Sequence, residues 1–380
     1  MAAEARSRPA WASIDLDVIA ANAAAMARLV APAELCAVVK ANGYGHGAAD
    51  VSRAALAGGA TRLAVALVEE GVALRKANIE APILVLSQPS AAAMADVVLH
   101  DLVPTLYTRR GIDALAQAAE RRTATVPVHV KADTGMHRVG ADPAEAVDLA
   151  ETVQRTARLT LEGFWTHLAV SEDLGRTGVT EAQLDRFDAA IGELAARGVT
   201  PRVLHAANSA GAIAHPRSRY DLVRCGIALY GYAPGPDVVG RVPLKPAMTL
   251  AARVTHVRQL AAGEGISYGL RYVTARPTVI ATVPLGYADG VPRALAAAHA
   301  HVLVDGRRCP IAGTITMDQL MIDCGPESDV SPGDEVVLIG SQRGETITAE
   351  DWADRLGTIS YEIVCGVGPR VPRRSTTLSP

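Results

Sequence analysis

The chain has 380 residues, about half of them hydrophobic, which is enough for a large buried core and for two or three domains. Its 37 basic and 40 acidic side chains leave a formal net charge of -3, so we expect no nucleic-acid partner. No apolar run reaches the roughly 18 residues that a membrane span needs, so we expect no membrane partner either. Met1 to Pro9 contains no apolar segment and is not expected to be a signal peptide.

The cysteines are scattered and never form a Cys-x-x-Cys pair: Cys36, Cys225, Cys309, Cys324 and Cys365. This pattern argues against a disulfide framework and against a zinc site. We therefore expect no metal and a reducing, cytoplasmic compartment.

Short apolar runs alternate with helix-like segments through the first part of the chain. The runs are mostly apolar on both faces, as expected for parallel strands covered by helices: Ala37–Lys40, Leu63–Leu67, Ile83–Leu86, Val103–Tyr107, Val126–Lys131, Leu161–His167, Val203–His205 and Leu222–Tyr230. Between Thr180 and Arg197, apolar residues three or four apart predict a helix, with Thr180 and Gln183 as a capping box at its start.

Eight alternating units predict an α/β fold in which residues 1–240 form an N-terminal (β/α)8 barrel. A doubly wound open sheet has the same local pattern and is the alternative. Residues 241–380 read as a mainly β C-terminal domain, with the boundary near Pro234–Pro246, where Gly and Pro are dense.

The second domain has shorter gaps between its predicted strands, which are Thr249–Leu260, Thr278–Pro284, His301–Val304, Ile311–Met317 and Glu335–Ile339. Asp305-Gly306 predicts a hairpin turn. A short helix is expected from Ala349 to Leu356, with Thr348 as its cap and Gly357 at its end.

Polar side chains interrupt the apolar strands of the predicted barrel at their carboxyl ends, where barrels of this kind carry their reactive groups. Lys40 ends the first strand, Lys131 lies near the end of the fifth and His167 ends the sixth. Asn208 and Ser209 follow the seventh strand. These positions predict one site at this end of the barrel.

Lys40 would be costly to bury as a free ammonium ion, and a Schiff base with an aldehyde such as pyridoxal phosphate removes that cost. The alternative is a side chain that points to solvent. Gly43, Gly45 and Gly47 match neither a dinucleotide fingerprint nor a P-loop, and a turn into the next helix explains them. No zinc-protease, α/β-hydrolase or NTPase motif is present.

Arg224 is a charged residue inside an apolar strand, so it must pair with an acid or hydrogen-bond an acceptor. A pyridine nitrogen would serve, and a structural salt bridge is the alternative. Ser209, Gly226 and Ile227 follow the last two strands, where barrels often bind phosphate, although they also suit an ordinary loop. For His167 and His205, the alternative interpretation is that they are core histidines whose hydrogen bonds are satisfied within the protein.

One long motif resembles a known family. Ala37-Val-Val-Lys-Ala-Asn-Gly-Tyr-Gly-His-Gly47 is similar to the pyridoxal-phosphate attachment motif of alanine racemases. Other matches follow in the family's order: Lys131–Arg138, Thr166-His167, Ala207–Ser209, Arg224–Ile227, Tyr230-Gly231, Ser267–Gly269, Gly286–Gly290, Met317–Gln319 and Thr358–Glu362. The resemblance runs from about Ile14 to Arg370.

The resemblance implies a homodimer with shared active sites that interconverts L-alanine and D-alanine with pyridoxal 5'-phosphate and supplies D-alanine for peptidoglycan. A broader or serine-preferring amino-acid racemase is the alternative. Lys40 resembles the cofactor-binding lysine and one base, and Tyr268 resembles the second base, from the other subunit. Two bases on opposite faces suit racemisation, since one fixed base reaches only one face.

Further roles are implied residue by residue. The cofactor contacts are Tyr44, Ser209, Gly226, Ile227 and Tyr361 for the phosphate, Arg224 for the pyridine nitrogen, His167 linking Arg224 to Tyr268, and Asn208. Arg138 and the Met317 amide resemble contacts to the substrate carboxylate. Lys131, often carbamylated in the family, supports Arg138, and Tyr287 and Asp318 are supporting residues.

Three rival interpretations remain at this point. Basic amino-acid decarboxylases resemble one another through a glycine triplet and a Gly-Glu-Pro-Gly-Arg run, and neither occurs here. Non-catalytic pyridoxal-phosphate carriers are single barrels without a β domain. A purely structural barrel leaves Lys40 and Arg224 unexplained.

Overall fold

The computed structural model describes residues 8–376 and divides the chain into two compact units. The first, called the barrel unit here, comprises Leu16–Gly43 and Gly47–Pro246. The second, called the β unit, comprises the N-terminal segment up to Asp15, Tyr44–His46 and the chain from Ala247 onward. Most of the segment predicted not to be a signal peptide, Met1 to Pro9, lies outside the described residues.

The first strand, β1 (Ala10–Asp15), belongs to the β unit, whereas the sequence-based division had included it in the barrel domain. It pairs antiparallel with Met248–Arg253 and parallel with Arg373–Thr376. Hydrogen bonding to segments more than 200 residues away therefore decides its place, and no local pattern could reveal them.

Eight parallel strands form the barrel: β2 (Glu34–Val38), β3 (Arg62–Val65), β4 (Ile83–Val85), β5 (Val103–Leu106), β6 (Val126–Lys131), β7 (Leu159–Trp165), β8 (Val203–His205) and β9 (Leu222–Cys225). Each strand from β2 to β7 pairs with the next along the chain, and β9 pairs with β2. The amide of Asp221 donates to the Leu204 carbonyl at 3.0 Å and links β8 to β9. The predicted barrel is confirmed, and the open sheet is excluded.

Helices surround these strands: α1 (Leu16–Val30), α2 (Lys40–Tyr44), α3 (Ala48–Ala57), α4 (Val68–Lys76), α5 (Met94–Leu99), α6 (Arg109–Arg122), α7 (Pro143–Arg155), α8 (Thr177–Ala196) and α9 (Ser209–Ala214). The predicted capping box at Thr180 is wrong, because α8 already begins at Thr177. Thr180 and Gln183 are buried inside the helix, where the Gln183 amide donates to the His167 carbonyl at 3.0 Å.

Six barrel strands end earlier than predicted, and three of them carry or precede predicted site residues. β2 ends at Val38 and β7 at Trp165, so Lys40 and His167 follow their strands instead of ending them. The run predicted to continue to Tyr230 turns into a 3-10 helix, Ile227–Tyr230, after Gly226. Lys40 and His167 therefore lie just beyond their strands, and α2, which begins at Lys40, contains a left-handed turn with φ of 52°, 52° and 63° at Ala41, Asn42 and Gly43.

The β unit adds eleven strands and two helices: β10 (Met248–Arg253), β11 (His256–Leu260), β12 (Gly265–Ile266), β13 (Tyr272–Val273), β14 (Thr278–Val283), β15 (His301–Val304), β16 (Arg307–Pro310), β17 (Leu320–Gly325), β18 (Glu335–Gln342), β19 (Glu345–Ile347), β20 (Arg373–Thr376), α10 (Ala349–Leu356) and α11 (Ser360–Gly366). The main sheet has the order β16-β15-β18-β10-β1-β20, with β19 on β18; β11-β14-β17 form a second sheet and β12-β13 a third.

Two local predictions in the β unit are confirmed. Asp305 and Gly306 have φ of 52° and 74° and join β15 to β16 in a hairpin. Thr348 caps α10 by accepting from the Asp351 amide at 3.0 Å, and Gly357 ends it with φ 66°.

Two strand predictions in the β unit are wrong. Thr249–Leu260 is split between β10 and β11, which lie in different sheets. Ile311–Met317 is not a strand, because Gly313 has φ 77° and the Thr316 amide closes a turn on the Gln319 carbonyl at 2.9 Å. This segment is instead the loop between β16 and β17.

Within residues 8–376, no helix combines the length and apolar character that a membrane crossing needs. The same residues contain no group of three or more metal-ligating side chains of His, Cys, Asp or Glu.

Candidate active site

Several predicted site residues of the barrel unit lie within electrostatic reach of one another. Burial lowers the pKa of His167 well below its usual value, and nearby cations lower it further. Those cations all belong to the predicted site: Arg224, Lys131, Arg138 and Lys40. The carboxyl ends of β2, β6, β7 and β9 thus converge on one strongly positive region, which favours an anionic or acceptor-rich ligand.

Arg224 is the centre of this region. Its side chain is 3% exposed, and its guanidinium lies over the Trp165 ring at 4.4 Å from the centroid. It donates to the Thr166 and Ala206 carbonyls, both at 2.9 Å, to Nδ1 of His205 at 2.7 Å and to Nδ1 of His167 at 3.0 Å. Four acceptors and an aromatic face hold the plane of the guanidinium in one orientation.

A structural salt bridge does not explain Arg224. Among the described residues, no carboxylate lies within ion-pair distance of it, and its Nε–H has no hydrogen-bond acceptor. Burial lowers the pKa of Arg224 to about 9, so the group still carries its charge at neutral pH. A buried cation with an unused donor is suited to an acceptor on a ligand.

The histidines beneath Arg224 form a directed hydrogen-bond chain. Arg224 can only donate, so Nδ1 of His205 must accept, and the proton of the neutral ring sits on Nε2. That Nε2 lies 2.8 Å from Nδ1 of His129, which therefore accepts as well. The same reasoning at His167 puts its proton on Nε2. All three rings are thus neutral with a defined tautomer.

His129 and His205 were missed as members of the site, although His205 was expected to be a hydrogen-bonded core histidine. The pattern that singled out Arg224 could also have found these two histidines, since each is a polar residue within an apolar strand. Gly163 of β7 leaves space for the ring of His129, because a Cβ at this position would lie 2.2 Å from Nδ1 of His129. Any larger residue at Gly163 would displace the ring.

The buried histidines predict a loss of stability in mild acid. Burial lowers the pKa of His129 to about 3 from 6.5, so between these values the unfolded chain binds a proton that the native chain does not. The contribution of the neutral His129 ring to the free energy of unfolding is fully present above pH 6.5 and decreases by about 1.4 kcal/mol per pH unit below that value. His129→Asn, whose side-chain oxygen can still accept from His205, should flatten the decrease of the urea midpoint between pH 6.5 and 5.

The matched control for this measurement is His256→Asn, which removes an exposed histidine of β11 and should leave the pH dependence of the urea midpoint unchanged. Equal slopes for wild type and His129→Asn would show that His129 is not held neutral in the native barrel.

Lys131 is a buried amine with an unusually low proton affinity. It is 3% exposed, and its Nζ lies 4.6 Å from the Trp165 ring centroid. Burial, followed by the charges of Arg224 and Arg138, lowers its pKa to about 7. A substantial fraction of the amine is therefore neutral, and thus nucleophilic, at physiological pH.

Arg138 is presented by a tight loop that leaves β6. Although burial opposes it, hydrogen bonds to one Asp133 oxygen lower the pKa of that carboxyl; the donors are the amides of Gly135, Met136 and His137, each at 3.0 Å. The loop returns through the Ala141 amide, which donates to the Lys131 carbonyl at 3.1 Å. Arg138 itself is exposed, where a substrate can reach it.

The loops after β8 and β9 meet at Ser209. The Gly226 amide donates to the Ser209 hydroxyl at 2.9 Å, so two predicted phosphate contacts are neighbours. Ile227, the third, is buried and follows directly. Asn208 has a structural role in this arrangement, because its oxygen accepts from the Gly211 amide at 2.9 Å and caps α9.

Two predicted phosphate contacts lie in the β unit. The rings of Tyr44 and Tyr361 have centroids 6.1 Å apart, although the residues are over 300 positions apart in the sequence. Gly45 brings them together, because its φ is 81° and a Cβ there would lie 2.2 Å from the Val364 carbonyl oxygen. Only glycine permits this approach of the Tyr44 turn to α11.

The other predicted residues of the β unit lie on connected loops. Tyr268 is held through its carbonyl, which accepts from the Thr314 hydroxyl at 2.8 Å. The Tyr287 amide donates to the Thr316 carbonyl at 3.0 Å, next to Met317. The side chains of these three predicted residues face outward in the single chain, with exposures of 74% for Tyr268, 52% for Met317 and 44% for Tyr287.

Asp318 anchors the same surface. It accepts from Arg370 at 2.6 Å, and Arg370 also lies 3.3 Å from the fully buried Asp289. Asp289 binds the Gly286 amide at 2.9 Å and forms an ion pair with Arg8. These contacts support Asp318 as a residue that fixes the loop beside Met317.

The family models match both parts of the chain. Residues 14–234 match the N-terminal domain of alanine racemase, and residues 247–375 match its C-terminal domain. The chain belongs to the alanine racemase family. Membership with both domains excludes the single-barrel carriers, the basic amino-acid decarboxylases and the purely structural barrel as interpretations.

Relatives in this family cover nearly the whole chain. The alanine racemase of Symbiobacterium thermophilum is 49% identical over 366 residues, 96% of this chain and 97% of that protein. The Bacillus anthracis alanine racemase structure, with bound L-Ala-P, has a TM-score of 0.91 at 37% identity and covers 97% of this chain and 95% of that one. The histidine racemase of Leuconostoc mesenteroides subsp. sake has a TM-score of 0.91 at 26% identity, with coverage of 98% and 99%.

Proposed function

We propose that the protein is a cytoplasmic, pyridoxal-phosphate-dependent isomerase that interconverts L-alanine and D-alanine and so supplies D-alanine for peptidoglycan. The observation that carries the proposal is that Lys40 and a buried arginine without a carboxylate partner, Arg224, lie at the same end of one barrel, where both charges act on His167. The names of relatives at 40–49% identity support alanine as the substrate.

The residues present fit this cofactor. Lys40 supplies an amine for its aldehyde, and the unused Nε–H of Arg224 supplies a donor for its ring nitrogen. Ser209 supplies a hydroxyl, held by the Gly226 amide, and Ile227 a backbone amide for its phosphate. We assign the Tyr44 and Tyr361 hydroxyls to the same phosphate from the family resemblance. When bound, pyridoxal phosphate would supply an electron sink for the charge left at the substrate's α-carbon.

Arg224 would act by keeping its proton. Because a guanidinium does not release a proton at this pH, a ring nitrogen that faces Nε–H stays an acceptor. The sink is then weaker, which disfavours decarboxylation and transamination. The four acceptors around Arg224 keep the donor aimed in one direction.

Racemisation requires a proton to leave one face of the α-carbon and another to arrive on the opposite face. We assign one face to the Lys40 amine and the other to the Tyr268 hydroxyl of the partner subunit. The Nε2–H that Arg224 imposes on His167 gives that ring a donor directed away from Arg224, and we assign it to Tyr268.

Arg138 and the Met317 amide are assigned to the substrate carboxylate. The pKa of about 7 at Lys131 supports carbamylation of this residue, since only a neutral amine reacts with carbon dioxide. Carbamylation would replace a cation beside Arg138 with an anion and so hold that guanidinium in place.

A homodimer with shared sites fits the exposure of the β unit. Large apolar side chains that face outward include Tyr268, Leu270, Val273, Met317 and Ile359. Such a set is costly in water and typical of an interface. A second copy that covers it would bring Tyr268 and Met317 to the partner's barrel, reciprocally in both directions.

The purified protein with added pyridoxal phosphate should racemise L-alanine faster than any other L-amino acid in a panel that includes serine and histidine. Borohydride reduction should abolish the activity and leave a pyridoxyl group on Lys40, which blocks tryptic cleavage there and yields the peptide 29–53. Labelling at another lysine would refute the cofactor assignment. Faster turnover of serine would favour the broader racemase, and histidine is included because a structural relative is named for it.

A further inference from the structure

Two cysteines of the β unit form a cross-strand pair. Ile311 pairs with Ile322 in an antiparallel bridge, and the Ala312 amide donates to the Met321 carbonyl at 2.8 Å. Continued for two residues, this register places Cys309 of β16 opposite Cys324 of β17. Ile311 and Ile322 face each other without exchanging backbone hydrogen bonds. Because hydrogen-bonded and non-hydrogen-bonded pairs alternate along an antiparallel ladder, Cys309 and Cys324 are also a non-hydrogen-bonded pair, the kind in which side chains lie closer together.

Cys324 lies at an irregularity of its strand. In the pairing of β14 with β17, Val279 opposes Gly325 and Ile280 opposes Asp323, so Cys324 is the extra residue of a bulge. Both cysteines are free thiols and almost fully buried, at 3% and 4% exposure.

A cavity of about 590 Å³ is lined in part by both cysteines. Three arginines line it, Arg276, Arg307 and Arg308, against two carboxylates, Asp323 and Glu327. Asp323 already accepts from the Tyr272 hydroxyl at 2.7 Å and from Thr278. Arg308 is already paired with Glu345 at 2.9 Å, whereas Arg276 and Arg307 form no ion pair among the described residues, so these two guanidinium groups are available to an anionic reagent.

We propose that Cys309 and Cys324 form a redox-active dithiol that is oxidised to an intramolecular disulfide by small anionic disulfides of the glutathione class. Cys309 is the attacking thiol. The neighbouring Cys324 thiol and the charge of Arg307 lower the pKa of Cys309, although burial opposes them, whereas the Cys309 thiol and burial raise the pKa of Cys324.

The exchange balances in two steps. The Cys309 thiolate attacks one sulfur of oxidised glutathione, the reagent's S–S bond breaks, and one glutathione leaves as a thiolate. The Cys324 thiol then loses its proton and attacks the Cys309 sulfur, which expels the second glutathione. The protein loses two electrons and two protons, and the reagent becomes two thiols.

The disulfide would clamp the base of the loop between β16 and β17. That loop carries Met317, so a slower racemisation is the expected consequence, and this consequence alone rests on the proposed function. Formation of the disulfide is independent of any activity.

The experiment treats the full-length protein with oxidised glutathione, alkylates the remaining thiols and maps tryptic peptides. Both cysteines lie in one peptide, residues 309–343, which contains no internal Lys or Arg. We expect this peptide to lose two hydrogen atoms and to carry no alkyl group, with full reversal by dithiothreitol. The exposed Cys365 lies in a separate peptide, 356–370, and reports that the reagent is active.

Three variants test which cysteine attacks first and whether the charge of Arg307 selects an anionic reagent. Cys324→Ser should stop at a glutathione adduct on Cys309, whereas Cys309→Ser should react slowly at Cys324. Oxidised glutathione should react roughly tenfold faster than cationic cystamine, and Arg307→Gln should reduce that ratio. Two alkylated cysteines in peptide 309–343 while Cys365 carries glutathione would overturn the proposal. A disulfide that forms without any change in racemisation would overturn only the clamp.

Discussion

Refolding Lys40→Ala together with Tyr268→Phe should restore about a quarter of wild-type racemase activity, although each variant alone is expected to be nearly inactive. In the proposed dimer, each site combines Lys40 of one chain with Tyr268 of the other. In equal mixtures, about half the dimers are mixed, and each mixed dimer has one site with both defects and one with neither. Racemisation of L-alanine is measured after co-refolding, with mixed dimers counted by mass spectrometry.

The matched control is a mixture of Lys40→Ala with Arg224→Lys. Both changes lie in the barrel unit, so every site of a mixed dimer keeps one defect and no activity should return. If Lys40 and Tyr268 met within one chain, the first mixture would behave like this control. That result would overturn the shared site while leaving the family assignment intact.

Replacing Arg224 with lysine should lower kcat/KM on the order of 10²-fold or more, the usual cost of losing one preorganised donor in an active site. Lysine keeps the charge, but a single ammonium lacks the planar fork that meets four acceptors and keeps one further N–H free. The absorption spectrum of the bound cofactor should change as well, because the group facing its ring nitrogen is different.

Arg75→Lys is the control for a general effect of removing a half-buried guanidinium. Arg75 likewise has four acceptors, the backbone carbonyls of Ile79, Ala81, His100 and Asp101, but it has no place in the proposed site. It should cost stability and leave kcat/KM and the cofactor spectrum unchanged. If Arg224→Lys behaved in the same way, Arg224 would be a purely structural residue.

Local patterns in the sequence were enough to predict the barrel, and they also indicate the end of the barrel at which we propose the site. Apolar runs alternate with helical spacing, and polar residues such as Lys131 and Arg224 interrupt those runs at one end. The burial cost of a charge predicts that such residues must find partners. The Asp305-Gly306 hairpin and the Thr348 cap are also local, because a turn or a cap depends on a few consecutive residues.

The partners themselves were decided by the tertiary structure. Closure of the barrel places Nε2 of His205 against Nδ1 of His129, 76 positions earlier in the chain, and no periodicity connects them. The same holds for Tyr44 with Tyr361, for Cys309 with Cys324 and for β1 in the sheet of the β unit. The sequence by itself determined which residues need a partner, since burial and charge are properties of a residue and its neighbours along the chain. Only the fold decided which partner each one has, because hydrogen bonds and strand pairing act between segments that the chain brings together from far apart.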